Sequence, residues 1–517
     1  MKEESYTYSK ASSYVKISDI FRIASGTKVL IEGRIISSSG KTLLQDSTGV
    51  IELNRKKGCP LNEIGDINLI SGILIKRKGK ISIEALNVVE AITLSPCNLS
   101  STFNNKPEIC ALFSTGNMLS YKSSIMMYID NKEIIPITQS DKILYIPDNP
   151  LTSGEHFVSI NFNDSNGNIR SINWMFKIEI KNKNYRLLFG VPHAHTSISD
   201  GRGLPAKAMD HMHKNRLDFL FITDHSNFFD GVCKDNYEFD GLYNEYREII
   251  NSDWYNTRIS IKKYNSSFED FVALRGFEMS SENWGHINVL NSNGYVEGKH
   301  QLTLIEDFFS WLKKQKDIVA AINHPGSHFK EVIKHLEMDE TINLIEVGNG
   351  ASPRKYRRFE KHYYNALDNG WHLGAINGQD NHIDNWGDSE NLTVIISEAL
   401  TLESILYALR NRHTYSTESR HLKLMVKANG YIMGSILPSA SSNNIDFEIY
   451  AENLEVPINS IQIISKGGNI VKEELFQNTN SIIWKTPITV EHKKNWYIIK
   501  VILSDGRWGI SSPIFTA

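Results

Sequence analysis

The residues of this chain best suited to chemistry recur in one order: His193-x-His195, Asp200, Thr223-Asp224-His225, Glu278, His286, Asn323-His324-Pro325 and Asp380-x-His382. Most follow directly on a short apolar run such as RLLFGV, DFLFI, FVALRGF or DIVAAIN, where a barrel strand would deliver a side chain to the mouth of a pocket. Histidines that only pack have no reason to collect at such places. Imidazoles and carboxylates gathered without thiolate suit manganese, iron or zinc, so the pattern points to a hydrolase built on several divalent ions. The competing reading is a β-rich surface-binding or nucleic-acid-binding protein whose central histidines are incidental.

Each residue has its own local logic. His193 and His195 are two apart, and a strand's period of two sends both rings to one face. His-x-His alone is a weak signal in a chain with 17 histidines. Asp200 lies in the loop TSISDGRG and can fold back over the mouth. Asp224 is expected to cap the next helix or to brace His225, leaving His225 as the ligand. Glu278 ends an apolar strand, where a carboxylate is costly unless paired; Arg275 is one available partner, and a pair of metal ions bridged by the two oxygens is the better one. His286 precedes its apolar run, so a satisfied core histidine competes there. His324 stands before a proline that stiffens the turn, and Asp380 with His382 repeats the spacing of the first pair.

No serine or cysteine sits in a recognisable nucleophile motif. Arg202, Arg275, Arg354 and His413 are candidates to hold a phosphate or protonate a leaving group, each weighed against a surface or packing role. An aromatic mouth built from Phe228, Phe229, Trp254 and Trp284 would favour a neutral ester instead.

The elements that must position these groups change character along the chain. Residues 17–95 alternate short β-type runs with turns, with Gly33, Gly49 and Gly72 where strands bend, and read as a small antiparallel barrel. Residues 96–183 show strands at sandwich-like intervals, with His156 expected to point outward. Over 184–420 apolar runs alternate with helical stretches near 204–215, 240–250, 302–315, 355–369 and 401–411, the pattern of βα units around a parallel sheet or barrel. Residues 421–517 return to closely spaced strands and read as a terminal β-sandwich. The fold class is multidomain α/β plus all-β.

The ordered blocks HAHTSISDG, ITDHS, GFEMS, GHINVL, INHPG and GQDNH resemble the PHP family, named for polymerase and histidinol phosphatase domains, over residues 184–420. The resemblance implies a metal-dependent hydrolase on a distorted seven-stranded (β/α)7 barrel. It implies His193, His195, Asp200, His225, Glu278, His286, His324, Asp380 and His382 as ligands of two or three divalent ions. In the family pattern His193, His195, Glu278 and Asp380 hold one ion, Glu278, His286 and His324 a second, and Asp200, His225 and His382 a third. Glu278, His324, Asp200, Arg202 and His413 are the candidate catalytic residues, and a hydroxide bridging two ions is the expected nucleophile. The sequence is most similar to the CehA/McbA metallohydrolase branch, although many family members carry histidine where Asp200 stands, and His413 stands where a glycine is expected. The implied reaction is phosphoester hydrolysis; attack on a carbamate or ester carbonyl is the alternative. LLQDSTGVIEL followed by GDINLISGIL resembles OB-fold domains, and the Leu151 to Gly154 turn with Asp164 to Asn168 resembles a bacterial immunoglobulin-like domain.

Composition narrows the partners. A net charge of −3 with 22% charged residues does not advertise a polyanion-binding protein. The basic clusters Arg55 to Lys57 and Lys76 to Lys78 have almost no aromatic neighbours besides Phe21, so nucleic acid is a less favoured partner than a small-molecule phosphoester or ester. Cys59, Cys97, Cys110 and Cys233 lack pair spacing, so any metal is held by nitrogen and oxygen. No run approaches a membrane span, and the start MKEESYTYSK lacks a secretory core; as written the chain reads as cytoplasmic, or as exported if a leader has been removed.

Overall fold

The structure is a computed structural model. It describes residues 13–38, 41–46, 48–55, 67–77, 80–114, 125–163, 169–180, 183–229, 245–246, 252–296, 304–351, 355–438, 444–490 and 495–516. Arg354, Asp164 to Asn168, Lys56, Lys57, Lys78, Cys59 and Cys233 lie outside the described residues. The chain is mostly β and divides into two compact units, Met1–Glu179 and Ile180–Ala517.

In the first unit five strands close into a ring. Lys28–Ser38 pairs with Lys41–Asp46, which pairs with Gly49–Arg55. That strand runs parallel to Lys80–Ser95, which pairs with Ile67–Arg77, and Ile67–Arg77 returns to Lys28–Ser38. Alternating side chains fill the interior with Val29, Ile31, Leu44, Leu53, Leu74 and Ile83. The strand crossing at Gly33 is so close that a Cβ there would stand 2.4 Å from the Gln45 carbonyl oxygen, which is why the position has no side chain.

The sheet does not stop at residue 95, because Ile92–Ser95 goes on to pair with Cys110–Phe113. Facing it is a second sheet containing Met126–Ile129, Gly154–Asn163 and Ile169–Ile178, and the two share a core of Ile92, Phe113, Met127, Ile160, Trp174 and Phe176. Arg170 is fully buried and joins the two halves through Glu32 and through Glu90 at 2.8 Å. His156 departs from the outward placement expected of it. Its ring is buried because Asp130 Oδ2 at 2.7 Å and the Thr152 carbonyl at 2.8 Å satisfy both nitrogens.

The second unit carries the ordered motifs on seven strands: β1 (Arg186–Ala194), β2 (Phe219–Ile222), β3 (Val272–Ser281), β4 (Gly285–Leu290), β5 (Val319–Ile322), β6 (Ile342–Asn349) and β7 (Gly374–Gly378). β1, β2 and β3 are mutually parallel, as are β5, β6 and β7, and β4 runs antiparallel between β3 and β5. The sheet curls until the chain leaving β7 meets the end of β1, where Asp380 N donates to the His193 carbonyl and His195 N to the Asn381 carbonyl, each at 3.0 Å. All of FLFI, VAAI and INLIEVGN is buried, so these strands read as continuous apolar runs instead of alternating ones.

Among the described residues the helices of eight residues or more are α1 (Pro205–Lys214), α2 (Asp253–Ser267), α3 (Ile305–Leu312), α4 (Glu360–Asp368) and α5 (Leu402–Arg410). α1 opens on a proline, which suits a first helical position, and buries Ala208, Met209 and Met212. α2 and α5 begin at Ser252 and Thr401, whose hydroxyls accept from the backbone N–H groups of Tyr255 and Ser404. The helix expected near 240–250 is displaced. Glu245 and Tyr246 pair as a short strand with Tyr295 and Val296, the helix lies at 253–267, and the rest of 240–250 is outside the described residues.

Beyond the ring, β8 (Leu392–Ser397) pairs antiparallel with β1 and with β9 (Thr414–Thr417), and β9 pairs with Trp508–Ser511. The tail strands therefore continue the same sheet across residue 420. Among the described residues no helix is long and apolar enough to cross a membrane.

Candidate metal centre

The parallel strands deliver their ends to one rim of the curled sheet, and the motif residues sit there. His193 and His195 end β1; His225 follows β2, with Glu278 N donating to the Asp224 carbonyl at 3.1 Å. His324 follows β5, and Asp380 and His382 follow β7. β4 explains why His286 precedes its apolar run. Being antiparallel, β4 enters from the rim, and its second residue is paired with Ser280 near the end of β3.

All nine side chains converge. Their donor atoms fall into four overlapping groups: His195, Asp200, His225 and His382; His193, His195 and Asp380; His193, Glu278 and His324; and His225, Glu278 and His286. Glu278 is central. Its Oε2 lies 3.5 Å from His193 Nε2, 3.3 Å from His195 Nε2 and 3.1 Å from His225 Nδ1. Its Oε1 lies 3.0 Å from His286 Nδ1 and 3.3 Å from His324 Nε2. Asp380 Oδ1 stands 3.1 Å from His195 Nε2, and Asp200 Oδ1 3.1 Å from His382 Nε2.

Several partners fix these groups. Glu346, which the sequence reading passed over, accepts from His193 Nδ1 at 2.8 Å. His382 Nδ1 donates to the Asp380 carbonyl at 2.8 Å, and His225 Nδ1 lies 2.7 Å from Ser280 Oγ. Asn323 Nδ2 donates to Glu278 Oε1 at 2.8 Å. Glu346 carried a signal of the same kind as Glu278, a carboxylate embedded in an apolar strand, INLIEVG. Two residues of the cluster also hold left-handed backbone, His324 with φ of +23° and Asp380 with φ of +52°, values uncommon for a non-glycine residue.

Burial and mutual charge shift several of these groups strongly. Burial raises the Glu278 carboxyl, but the charge on His193 and the close approach of His193, His195 and His286 outweigh it and hold Glu278 well below the carboxylate range. Burial lowers His195, yet the carboxylates of Asp380 and Glu278 beside it carry it up to about 9. His225 goes the other way, down to about 4, through burial and the neighbouring His195 charge, and so is neutral and ready to ligate at neutral pH. Asp200 and Asp380 are lowered despite burial, by His382 in one case and by His193 and His195 in the other.

The donor set fits divalent metal. Glu278 Oε2 is buried and closes no hydrogen bond, although three imidazoles face it. The rings of His195 and His225 lie 4.5 Å apart and those of His195 and His382 4.3 Å, a packing that protonated imidazoles would resist. Cations between the rings would relieve both conditions at once.

Other expectations resolve differently. Asp224 does not brace His225. Its carboxylate accepts from Thr196 N and Thr196 Oγ1, each at 2.7 Å, and from Ser199 Oγ at 2.6 Å, so it pins the loop that carries Asp200. Arg275 does not pair with Glu278, because three residues along a strand put them on opposite faces; its guanidinium lies 3.6 Å from the Trp254 ring centre and donates to the Trp254 carbonyl. His413 is buried beyond α5, its ring beside Tyr185 and Tyr407, and its carbonyl accepts from Ile396 N, next to the Ile396–Leu187 pair near the start of β1. That is the end opposite the ligands, so His413 does not join the centre. Arg202 is exposed in the Asp200 loop. Trp254 and Trp284 are buried packing residues, Trp284 stacked on Phe308, and Phe229 packs on Trp254 and Tyr295. Phe228 is exposed, its ring 6.1 Å from that of His225.

No family model matches the chain, and no curated protein matches it. Among solved structures, it is similar to a two-domain protein from Bacteroides vulgatus ATCC 8482 described as containing a predicted PHP-like metal-dependent phosphoesterase. The identity is 17%, the match covers 65% of this chain and 97% of that one, and the TM-score is 0.36. CopC from Methylosinus trichosporium OB3b matches at 16% identity over 18% of this chain and 95% of its own, with a TM-score of 0.16. Likenesses this loose carry neither fold nor activity across.

Proposed function

We propose that this protein is a metal-dependent hydrolase, a phosphoesterase, whose centre is formed by the nine converging donors of the second unit. The observation that carries this reading is the position of Glu278, a buried carboxylate facing five imidazoles delivered by the ends of four different strands. On this reading the seven curled strands are a distorted (β/α)7 barrel of the PHP type. The five-stranded ring order, with its one parallel pair, supports an OB-like module over 17–95, and the facing sheets after it an Ig-like sandwich over 96–183. Residues 184–420 are then the catalytic domain and 421–517 a β-sandwich appended to its sheet.

His193, His195, Asp200, His225, Glu278, His286, His324, Asp380 and His382 would hold two or three divalent ions of manganese, iron or zinc. Bound there, such ions supply Lewis acidity toward phosphoryl oxygens and acidify water at neutral pH, which fits the lack of a nucleophile motif. The protein's own part would be to orient the ligands, keep His225 neutral and present the scissile group at the rim beside the Asp200 loop, where the exposed Arg202 would meet a phosphate. A carbamate or ester substrate is the second reading. It rests on Phe228, the one nominated aromatic exposed beside a ligand.

The test is elemental analysis of purified protein together with phosphomonoester, phosphodiester and aryl ester substrates, with Glu278→Ala and His324→Ala as controls. Stoichiometric transition metal and a phosphoester turnover lost in both variants support the reading. Metal-free protein, or turnover that survives both substitutions, overturns it.

A further inference from the structure

Glu346 lies on β6, is fully buried, and is not one of the residues that face one another as ligands. Each of its carboxylate oxygens is committed. Oε1 accepts from His193 Nδ1 at 2.8 Å; Oε2 accepts from the backbone N–H of His324 at 2.6 Å and from Asn349 Nδ2 at 2.8 Å. One side chain thus reaches a ligand on β1 and another after β5, from the strand between β5 and β7. With Nδ1 spent on Glu346, His193 turns Nε2 toward Glu278, Asp380 and His195. The bond to His324 N falls at the residue whose φ is +23°, so the same carboxylate holds a strained turn in the one conformation that aims Nε2 at Glu278.

Space for this carboxylate comes from a second residue. Gly378, at the end of β7, has no Cβ, and one placed there would sit 1.8 Å from Glu346 Oε1. A neutral amide would not replace Glu346. Three N–H donors converge on it, whereas a glutamine offers one oxygen and an NH2 that would confront donors or demand that His193 Nδ1 accept. If Nδ1 accepts, the proton moves to Nε2 and the ligand is lost.

We propose that Glu346, given room by Gly378, is the positioning residue that fixes the ring state of His193 and the backbone of His324, and so sets metal affinity for the inner groups, those that contain His193, but not for the outer one at Asp200, His225 and His382. The inference rests on the metal-centre reading above. An outer partner of this kind is worth about 10- to 100-fold in metal affinity.

The experiment compares wild type, Glu346→Gln, Glu346→Asp and Gly378→Ala by titrating chelated full-length protein with zinc or manganese. An independent readout is the exchange-protected imidazole N–H proton resonance of His193 in the metal-free protein. Glu346→Gln and Gly378→Ala should each weaken the ions held through His193 about 10- to 100-fold, leave the ion at Asp200, His225 and His382 in place, and lose the protected resonance. Glu346→Asp should recover part of the affinity. Unchanged inner-site affinity in Glu346→Gln, or a His193 resonance that persists in it, overturns the proposal, as does equal weakening of inner and outer ions. A wild type that binds no metal defeats the functional reading instead, and the resonance then still decides whether Glu346 holds His193.

Discussion

The backbone N–H of Asp380 donates to the carbonyl oxygen of His193 at 3.0 Å, so the curled sheet closes at the very residues that offer ligands. If the converging donors hold metal, ions bound there would brace the point where the sheet closes, and metal should stabilise the folded state directly. Free metal at a hundred times its dissociation constant adds about 2.7 kcal/mol when the unfolded chain does not bind it. Chelation is expected to lower the melting temperature of the second unit, and restored zinc or manganese to raise it again. A melting temperature indifferent to chelation would contradict this.

The metal-free protein should depend on pH with a definite sign. His195 is carried from its ordinary 6.5 up to about 9 in the folded state, so the stability it contributes is complete below pH 6.5 and is lost as pH rises through about 9. The loaded protein should not lose stability over that window, because ligands must shed protons before they bind and alkalinity favours binding. Thermal unfolding of chelated and loaded samples from pH 6 to 9.5 measures the difference. Calorimetry in buffers of unlike ionisation enthalpy should register protons released on binding.

Asp224 pins the loop bearing Asp200 through Thr196 and Ser199. Asp224→Ala is expected to weaken one ion, that held by Asp200, His225 and His382, by about 10- to 100-fold while the inner ions stay. Metal stoichiometry at limiting free metal checks it, and a uniform loss across all ions would count against the loop assignment.

His413 is packed between Tyr185 and Tyr407 near the far end of the strands. His413→Ala should cost stability on the scale of about 0.5–3 kcal/mol and leave metal content unchanged. Denaturant unfolding beside elemental analysis distinguishes this from a catalytic role, for which turnover would fall without loss of stability.

Much of the centre was legible because strand ends advertise themselves: an apolar run followed by a histidine or carboxylate says where a side chain goes even when its partners are two hundred residues away. His286 read as doubtful only because an antiparallel strand reverses that order, and no local pattern announces the direction of a buried strand. Asp224 reads as a helix cap or a brace for His225 and Glu346 is passed over, since whether a carboxylate holds a ring, a loop or an ion depends on what tertiary packing brings to it. His413 shows the converse. Its motif context suggested chemistry, while the turn after α5 placed it among tyrosines. At the boundaries read near 95 and 420 a strand pairs onward with the next segment, a continuity that composition and local pattern do not carry.

The most direct test of the central claim is anomalous diffraction from crystals of the full chain grown with manganese, recorded at the metal edge. The account predicts peaks among His193, His195, Glu278 and Asp380, beside Glu278, His286 and His324, and among Asp200, His225 and His382. Manganese that binds stoichiometrically yet scatters from anywhere else in the molecule would contradict it.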